Sequence, residues 1–154
     1  MLLTNAHVLT MDDRFTVYPA GFVAIGSNGD GKIVAVGDGG LSTGYAARET
    51  VDCRGRVVMP GLINAHTHAP MTLLRGLADD LRLDVWLMGY MMPVERSFVR
   101  PDFVALGTQL ACAEMIRSGT TCFADMYYFE ESVAKAAADA GLRALCAQTV
   151  LKFP

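Results

Sequence analysis

Hydrophobic and polar positions follow two regimes along this chain, and the change falls at Pro60-Gly61. Before it, short apolar runs alternate with polar breaks. Leu2 to Thr10 is rich in strand formers and ends at Met11-Asp12-Asp13-Arg14. Gly21 to Ile25 and Lys32 to Val36 flank Ser27-Asn28-Gly29-Asp30-Gly31, and two apolar runs about an Asn-Gly/Asp-Gly cluster predict a hairpin. Gly37 to Gly44 reads as loop. Thr50 to Cys53 and Arg56 to Met59 surround a turn at Arg54-Gly55. Residues 1–58 thus predict a small antiparallel sheet, not a nucleotide-binding half.

After the junction the elements lengthen. Leu62 to Ala65 has the unbroken apolar character of a strand buried on both faces, as in a parallel sheet. Leu81 to Val99 is rich in helix formers, and Pro93 must kink or break it because proline removes a backbone donor. Pro101 to Ser118 is the clearest helix. Pro101 suits its first position, Asp102 complements the positive end of the helix dipole, and Gly119 suits the stop. Phe103, Leu106, Leu110 and Ala113 form the expected buried stripe, with Met115 and Ile116 beside it. Thr120 to Ala124 reads as a buried strand, Glu130 to Ala140 as a helix ended by Gly141, and Arg143 to Leu151 as a third strand. The order strand–helix–strand–helix–strand predicts right-handed βαβ units over residues 59–154.

Composition narrows the function. The 154 residues are 52% apolar and 19% charged, enough to fill a core and to leave apolar surface for a larger body. The net charge of −3 and the lack of a Lys/Arg cluster argue against nucleic-acid or anionic-membrane partners. The amino terminus has no basic region leading into an apolar stretch, so a secretory signal is not expected. No apolar run approaches the ~18 residues of a membrane span. Cys53, Cys112, Cys122 and Cys146 form no CxxC pair, which predicts reduced thiols and a cytoplasmic protein.

The chemistry concentrates at Pro60 to His68, PGLINAHTH. His66 and His68 are two of only three histidines in the chain. Residues i and i+2 of a strand share a face, so both rings can reach one metal ion, with bonds of roughly 2.0–2.1 Å for zinc. Alone, the spacing also fits two histidines on an ordinary polar strand. The buried run before the pair favours the metal reading, because strand C-termini carry the chemistry in (β/α)8 barrels. His7, in the N-terminal sheet, reads as a surface residue.

PGLINAHTH resembles the first-strand metal motif of the amidohydrolase superfamily. GLADDLRLDVWLMGYMMPVERSFVRPD and AEMIRSGTTCFADMYYF are similar to its 5′-methylthioadenosine/S-adenosylhomocysteine deaminase branch, which also holds the s-triazine chlorohydrolases. The resemblance spans nearly the whole chain. It implies the first three strands of an incomplete (β/α)8 TIM barrel over 59–154, preceded by part of a small β-sandwich domain over 1–58. It implies hydrolytic deamination of an adenine nucleoside, with His66 and His68 holding one zinc per subunit, iron(II) or nickel(II) being the other candidates. Glu95 would accept hydrogen bonds from the ribose hydroxyls, and Trp86 would pack over the ligand or else sit in the core. Met88, Met91 and Met92 read as core or subunit contacts. Asp125, at the end of the second strand, takes a supporting or capping role. The resemblance also implies a homo-oligomer.

Two features set limits. Many members of the branch carry a substrate-binding arginine near Ala147-Gln148-Thr149, where this chain has Gln148. The family mechanism also needs histidines, an aspartate and a glutamate from later strands, and no histidine follows His68. A barrel takes ~250 residues. The expectation is therefore an amino-terminal part of a larger protein, inactive alone, whose partner is the remainder of its own barrel. The alternatives are triazine dechlorination or another heterocycle aminohydrolase, and a catalytically empty assembly segment.

Overall fold

The structure, a computed structural model, describes residues 1–26 and 31–150. The chain divides into two compact units, Met1–Pro60 and Gly61–Pro154.

In the first unit β1 (Leu2–Leu9) is the organising strand. It pairs antiparallel with β2 (Val17–Ile25), which pairs antiparallel with β3 (Ile33–Asp38). The amide of Gly26 donates to the Lys32 carbonyl at 2.8 Å, so the predicted hairpin forms, while its Asn28-Gly29 tip lies outside the described residues. Both faces of the sheet bury side chains: Ala6, Val8, Val23 and Cys53 on one, Leu2, Phe22 and Ala24 on the other.

The all-antiparallel expectation is corrected here. β4 (Thr50–Asp52) and β5 (Val57–Val58) do not pair with each other; each runs parallel to β1. Between them the amides of Cys53 and Gly55 still donate to the carbonyls of Thr4 and Asn5. Arg54-Gly55, both at positive φ, is thus a kink in one edge segment that follows β1, not a hairpin tip. The loop expected from Gly37 also differs: β3 continues to Asp38, and Gly39–Gly44 forms a 3-10 turn.

The second unit is a parallel three-stranded sheet in the order β6 (Leu62–Thr67), β7 (Thr120–Tyr127), β8 (Arg143–Gln148). A 3-10 turn (Ala69–Leu74), two short helices and the long helix α3 (Pro101–Arg117) lie between β6 and β7. Helix α4 (Glu130–Ala140) joins β7 to β8. The short helices are α1 (Leu83–Val85) and α2 (Met92–Phe98), separated by a π-helical segment, Trp86–Met91. The helical run continues through Pro93 without a break, and the distortion its missing donor requires takes the form of the π-helical turn. The wide π turn sits just upstream and absorbs the backbone bond that proline cannot make.

The core of this unit joins Val104, Ala111, Cys112 and Met115 of α3, Phe123 and Tyr127 of β7, and Val133 and Ala137 of α4. The stripe expected on α3 is corrected. Leu106 and Leu110 are exposed, at 58% and 41%, and the buried face is Val104, Gly107, Thr108, Ala111, Cys112 and Met115. Small residues win that face because backbone passes close by. A Cβ on Gly107 would stand 2.4 Å from the Pro70 carbonyl oxygen. β6 is also not doubly buried: Ile63 is 72% exposed. Among the described residues β6 has a neighbour only on its β7 side, and the helices cover one face of the sheet.

Because the obstacle at Gly107 is backbone, G107V should destabilise the protein by about 1–3 kcal/mol, through overpacking against the turn that follows β6. Chemical denaturation checks this, and unchanged stability would contradict the close approach.

Candidate metal centre

The C-terminal end of β6 is irregular, and the irregularity aims the histidines. Asn64 pairs with Phe123, yet Thr67 pairs with Asp125, so β6 spends three residues where β7 spends two. Such a bulge redirects side chains, and bulges favour sites of chemistry. The amide of His66, within the bulge, donates to Asn64 Oδ1 at 3.3 Å. Past Thr67 the backbone leaves the strand, and His68 opens the 3-10 turn with φ −126 and ψ 70. The two imidazoles stand edge to face with centroids 5.1 Å apart.

This arrangement fits a shared cation. Two rings bound to one tetrahedral zinc at roughly 2.1 Å would have centroids roughly 5 Å apart. His68 Nδ1 lies 2.6 Å from the Met126 carbonyl oxygen. A carbonyl only accepts, so Nδ1 carries the proton and Nε2 is left as the free donor to a metal. Both rings border a cleft of about 190 Å³ with Ala124, Met126, Leu145 and Ala147. Among the described residues no group of three or more His, Cys, Asp or Glu could hold a metal ion, so the pair could offer two ligands at most and not a complete site.

Asp125 underlies this end of β6. It is 3% exposed, and its Oδ1 accepts the Thr67 hydroxyl and, at 2.7 Å, the Ala69 amide. Those two donors bracket His68 in the chain. Two residues on, on the same buried face of β7, Tyr127 donates its hydroxyl to Glu95 Oε1 at 2.6 Å. Burial first, then the bond to Glu95, pushes the Tyr127 phenol well above its ordinary value, so it remains a donor. Its ring centroid is 6.5 Å from that of His68. Glu95 lines a cleft of about 380 Å³ with Met92, Arg96, Val99, Tyr128 and Phe129.

Of the residues singled out from the sequence, His66, His68 and Asp125 come together. Glu95 is tied to them through Tyr127. Trp86 lines a different cleft, with Met71, Leu74, Gly76 and Met91. Gln148 accepts the Glu130 amide at 3.2 Å and so caps the start of α4. His7 lies half-buried in β1. The sequence reading missed Tyr127 and Glu130. The alternation Phe123, Asp125, Tyr127 pointed to Tyr127, because the first and last are apolar enough to fix which face of β7 is buried. No sequence pattern marked Glu130, which is 5% exposed at the first position of α4.

Residues 57–154 match the amidohydrolase family, and the chain belongs to that family. The resemblance to the methylthioadenosine/adenosylhomocysteine deaminase branch is borne out as well. The chain is 52% identical to a 5-methylthioadenosine/S-adenosylhomocysteine deaminase of Syntrophobacter fumaroxidans, over 100% of this chain and 34% of the relative. It is 49% identical to a 5′-deoxyadenosine deaminase of Methanococcoides burtonii, over 94% of this chain and 32% of the relative. Among solved structures, an adenosine deaminase of Xanthomonas campestris with bound zinc superposes with a TM-score of 0.79 at 41% identity, over 94% of this chain and 32% of that one. The chain thus spans about a third of the length of these relatives. Among the described residues no helix is long and apolar enough to cross a membrane.

Burial, then the Asp125 charge, raises the Glu130 carboxyl from 4.5 to about 7. The folded state then binds a proton between these values that the unfolded state releases. Stability should fall as pH rises through that window, and E130Q should remove this slope. Denaturation midpoints of both proteins from pH 4 to 8 check it; parallel curves would refute it.

Proposed function

We propose that the protein to which this chain belongs is a metal-dependent aminohydrolase that deaminates an adenine nucleoside of the methylthioadenosine, adenosylhomocysteine or 5′-deoxyadenosine kind. The observation that carries the proposal is the pairing of His66 and His68 with the Nδ1 of His68 engaged by backbone, beside a carboxylate held in place by Tyr127. The three parallel strands are read as the first three of a (β/α)8 barrel. The first unit is read as part of a β-sandwich domain. The names of the relatives support the substrate class.

His66 and His68 would hold the metal, with the remaining ligands and the proton-transfer groups coming from the two thirds of the relatives' length that this chain does not span. Zinc suits imidazole ligands and accompanies the Xanthomonas structure. A divalent cation there supplies Lewis acidity that makes water a nucleophile near neutral pH. Glu95 binds and orients. With Oε1 occupied by Tyr127, Oε2 is left to accept from a ribose hydroxyl, a charge-assisted bond. Tyr127 fixes that carboxylate's orientation and cannot compete as an anion. Trp86, in the cleft it lines with Met71, Gly76 and Met91, would pack over the ligand or else serve the core.

The test uses the complete protein and follows ammonia release from methylthioadenosine, adenosylhomocysteine, 5′-deoxyadenosine, adenosine and guanine, with chloride release from atrazine alongside. Turnover of the adenine nucleosides is expected. Chloride release from atrazine without nucleoside turnover would overturn the proposal in favour of triazine chemistry.

Two substitutions sharpen it. H68A should abolish tight zinc binding measured by chelator competition, and unaltered affinity would remove His68 from the ligand set. E95A should lower kcat/KM for ribosides about 10- to 100-fold, the worth of a hydrogen bond to a charged group, yet leave 2′,3′-dideoxy analogues unaffected. Equal losses on both substrates would show that Glu95 does not read the ribose.

A further inference from the structure

Asp125 of β7 and Glu130, the first residue of α4, are buried carboxyls close enough for the Asp125 charge to act on Glu130, and their oxygens are unevenly served. Asp125 Oδ1 takes two donors, from Thr67 and Ala69. Asp125 Oδ2 and both Glu130 oxygens are buried and receive no N–H or O–H. Two buried anions so placed would repel each other, and three of their four oxygens would be left without a good donor. A single proton removes both difficulties, since it cancels one charge and turns one acceptor into a donor. Asp125, already served by two donors, is the better anion. Glu130 has only the weak Cys146 thiol and a Tyr127 amide that makes no hydrogen bond of good geometry, so the proton belongs there.

We propose that Asp125 and Glu130 form a proton-sharing carboxyl pair, with the proton on Glu130, that positions the His66–His68 segment for metal binding. Glu130 donates to Asp125 Oδ2, and Asp125 Oδ1 in turn accepts from the residues on either side of His68. Neither carboxyl touches the metal or a substrate; both are positioning residues. The first residue of α4 is thereby coupled to the end of β6 through β7. The far side of the pair is also defined. The Glu130 amide is held by Gln148 of β8, and the Cys146 thiol of β8 lies against the Glu130 carboxyl, where burial and that carboxyl push the thiol up to about 11, so it remains a neutral neighbour. Cys112 of α3 is raised by burial and by the Asp125 charge, and it too adds no negative charge.

The inference rests on the reading of His66 and His68 as metal ligands, and the experiment separates the two. The complete protein, stripped of metal, is titrated with cobalt(II), whose visible absorption reports ligand geometry, and affinity is measured by chelator competition. Wild type, E130Q, E130L and T67V are compared, each checked for folding by circular dichroism. Glutamine keeps an N–H for Asp125, so E130Q should bind within about twofold of wild type with the same spectrum. Leucine fills the volume but gives no donor, so E130L should bind about 10- to 100-fold more weakly, with a shifted band, as for loss of a residue that orients a ligand. T67V removes a donor from Asp125 without touching Glu130 and should shift the band in the same sense, which keeps the test open if E130L does not fold. Wild-type behaviour of E130L or of T67V would overturn the proposal. So would an E130Q protein as impaired as E130L, because the charge and not the proton would then matter. Failure of the wild type itself to bind cobalt needs no variant to be seen; it would overturn the metal reading and this inference with it.

Discussion

The hold of one buried carboxylate on the end of one strand governs the geometry of this site. β6 has a hydrogen-bonded neighbour on only one side among the described residues, it carries a bulge, and it leaves the sheet within a residue of Thr67. A segment with so little ladder support would fray. Asp125 supplies what the ladder does not, through the Thr67 hydroxyl and the Ala69 amide. The cost is a charge in the interior, and the two donors offset it by satisfying one of its oxygens. The paired rings depend on that hold, because they lie on either side of Thr67.

The two faces of the second sheet divide the work. The face toward α3 and α4 carries Phe123, Asp125 and Tyr127, which in turn pack, brace the strand end and reach Glu95. The other face carries the cleft beside Ala124, Met126 and Leu145, where the imidazoles stand. Support and chemistry thus come from alternate residues of one strand, as a period of two allows. The close passage of α3 over Pro70 belongs to the same arrangement, since it fixes the turn that follows the histidines.

Much of this was legible in the residues, and the failures have physical causes. The strand–helix alternation after Pro60 and the juxtaposition of His66 with His68 were readable because each is a local pattern. The helix start at Pro101 and the stops at Gly119 and Gly141 were too, since φ at both glycines is positive. The α3 stripe was misread because hydrophobicity was taken as the guide to burial. Gly107, Thr108 and Ala111 are buried for their small size, a property set by what passes opposite. The parallel β4 and β5 were misread as a hairpin because pairing with β1 spans nearly fifty residues and leaves no local trace. The bulge at His66 and the donor-starved Glu130 were invisible for the same reason: each exists only once β7 and α4 are in place.

The contact between His68 and residue 126 is made to a carbonyl, a group that every amino acid possesses. The Met126 side chain meanwhile lies exposed beside the cleft. The ring's tautomer is therefore indifferent to which residue occupies that position. Evolutionary drift there can reshape the wall of the cavity, and with it the choice of ligand, while the imidazole keeps the same nitrogen available.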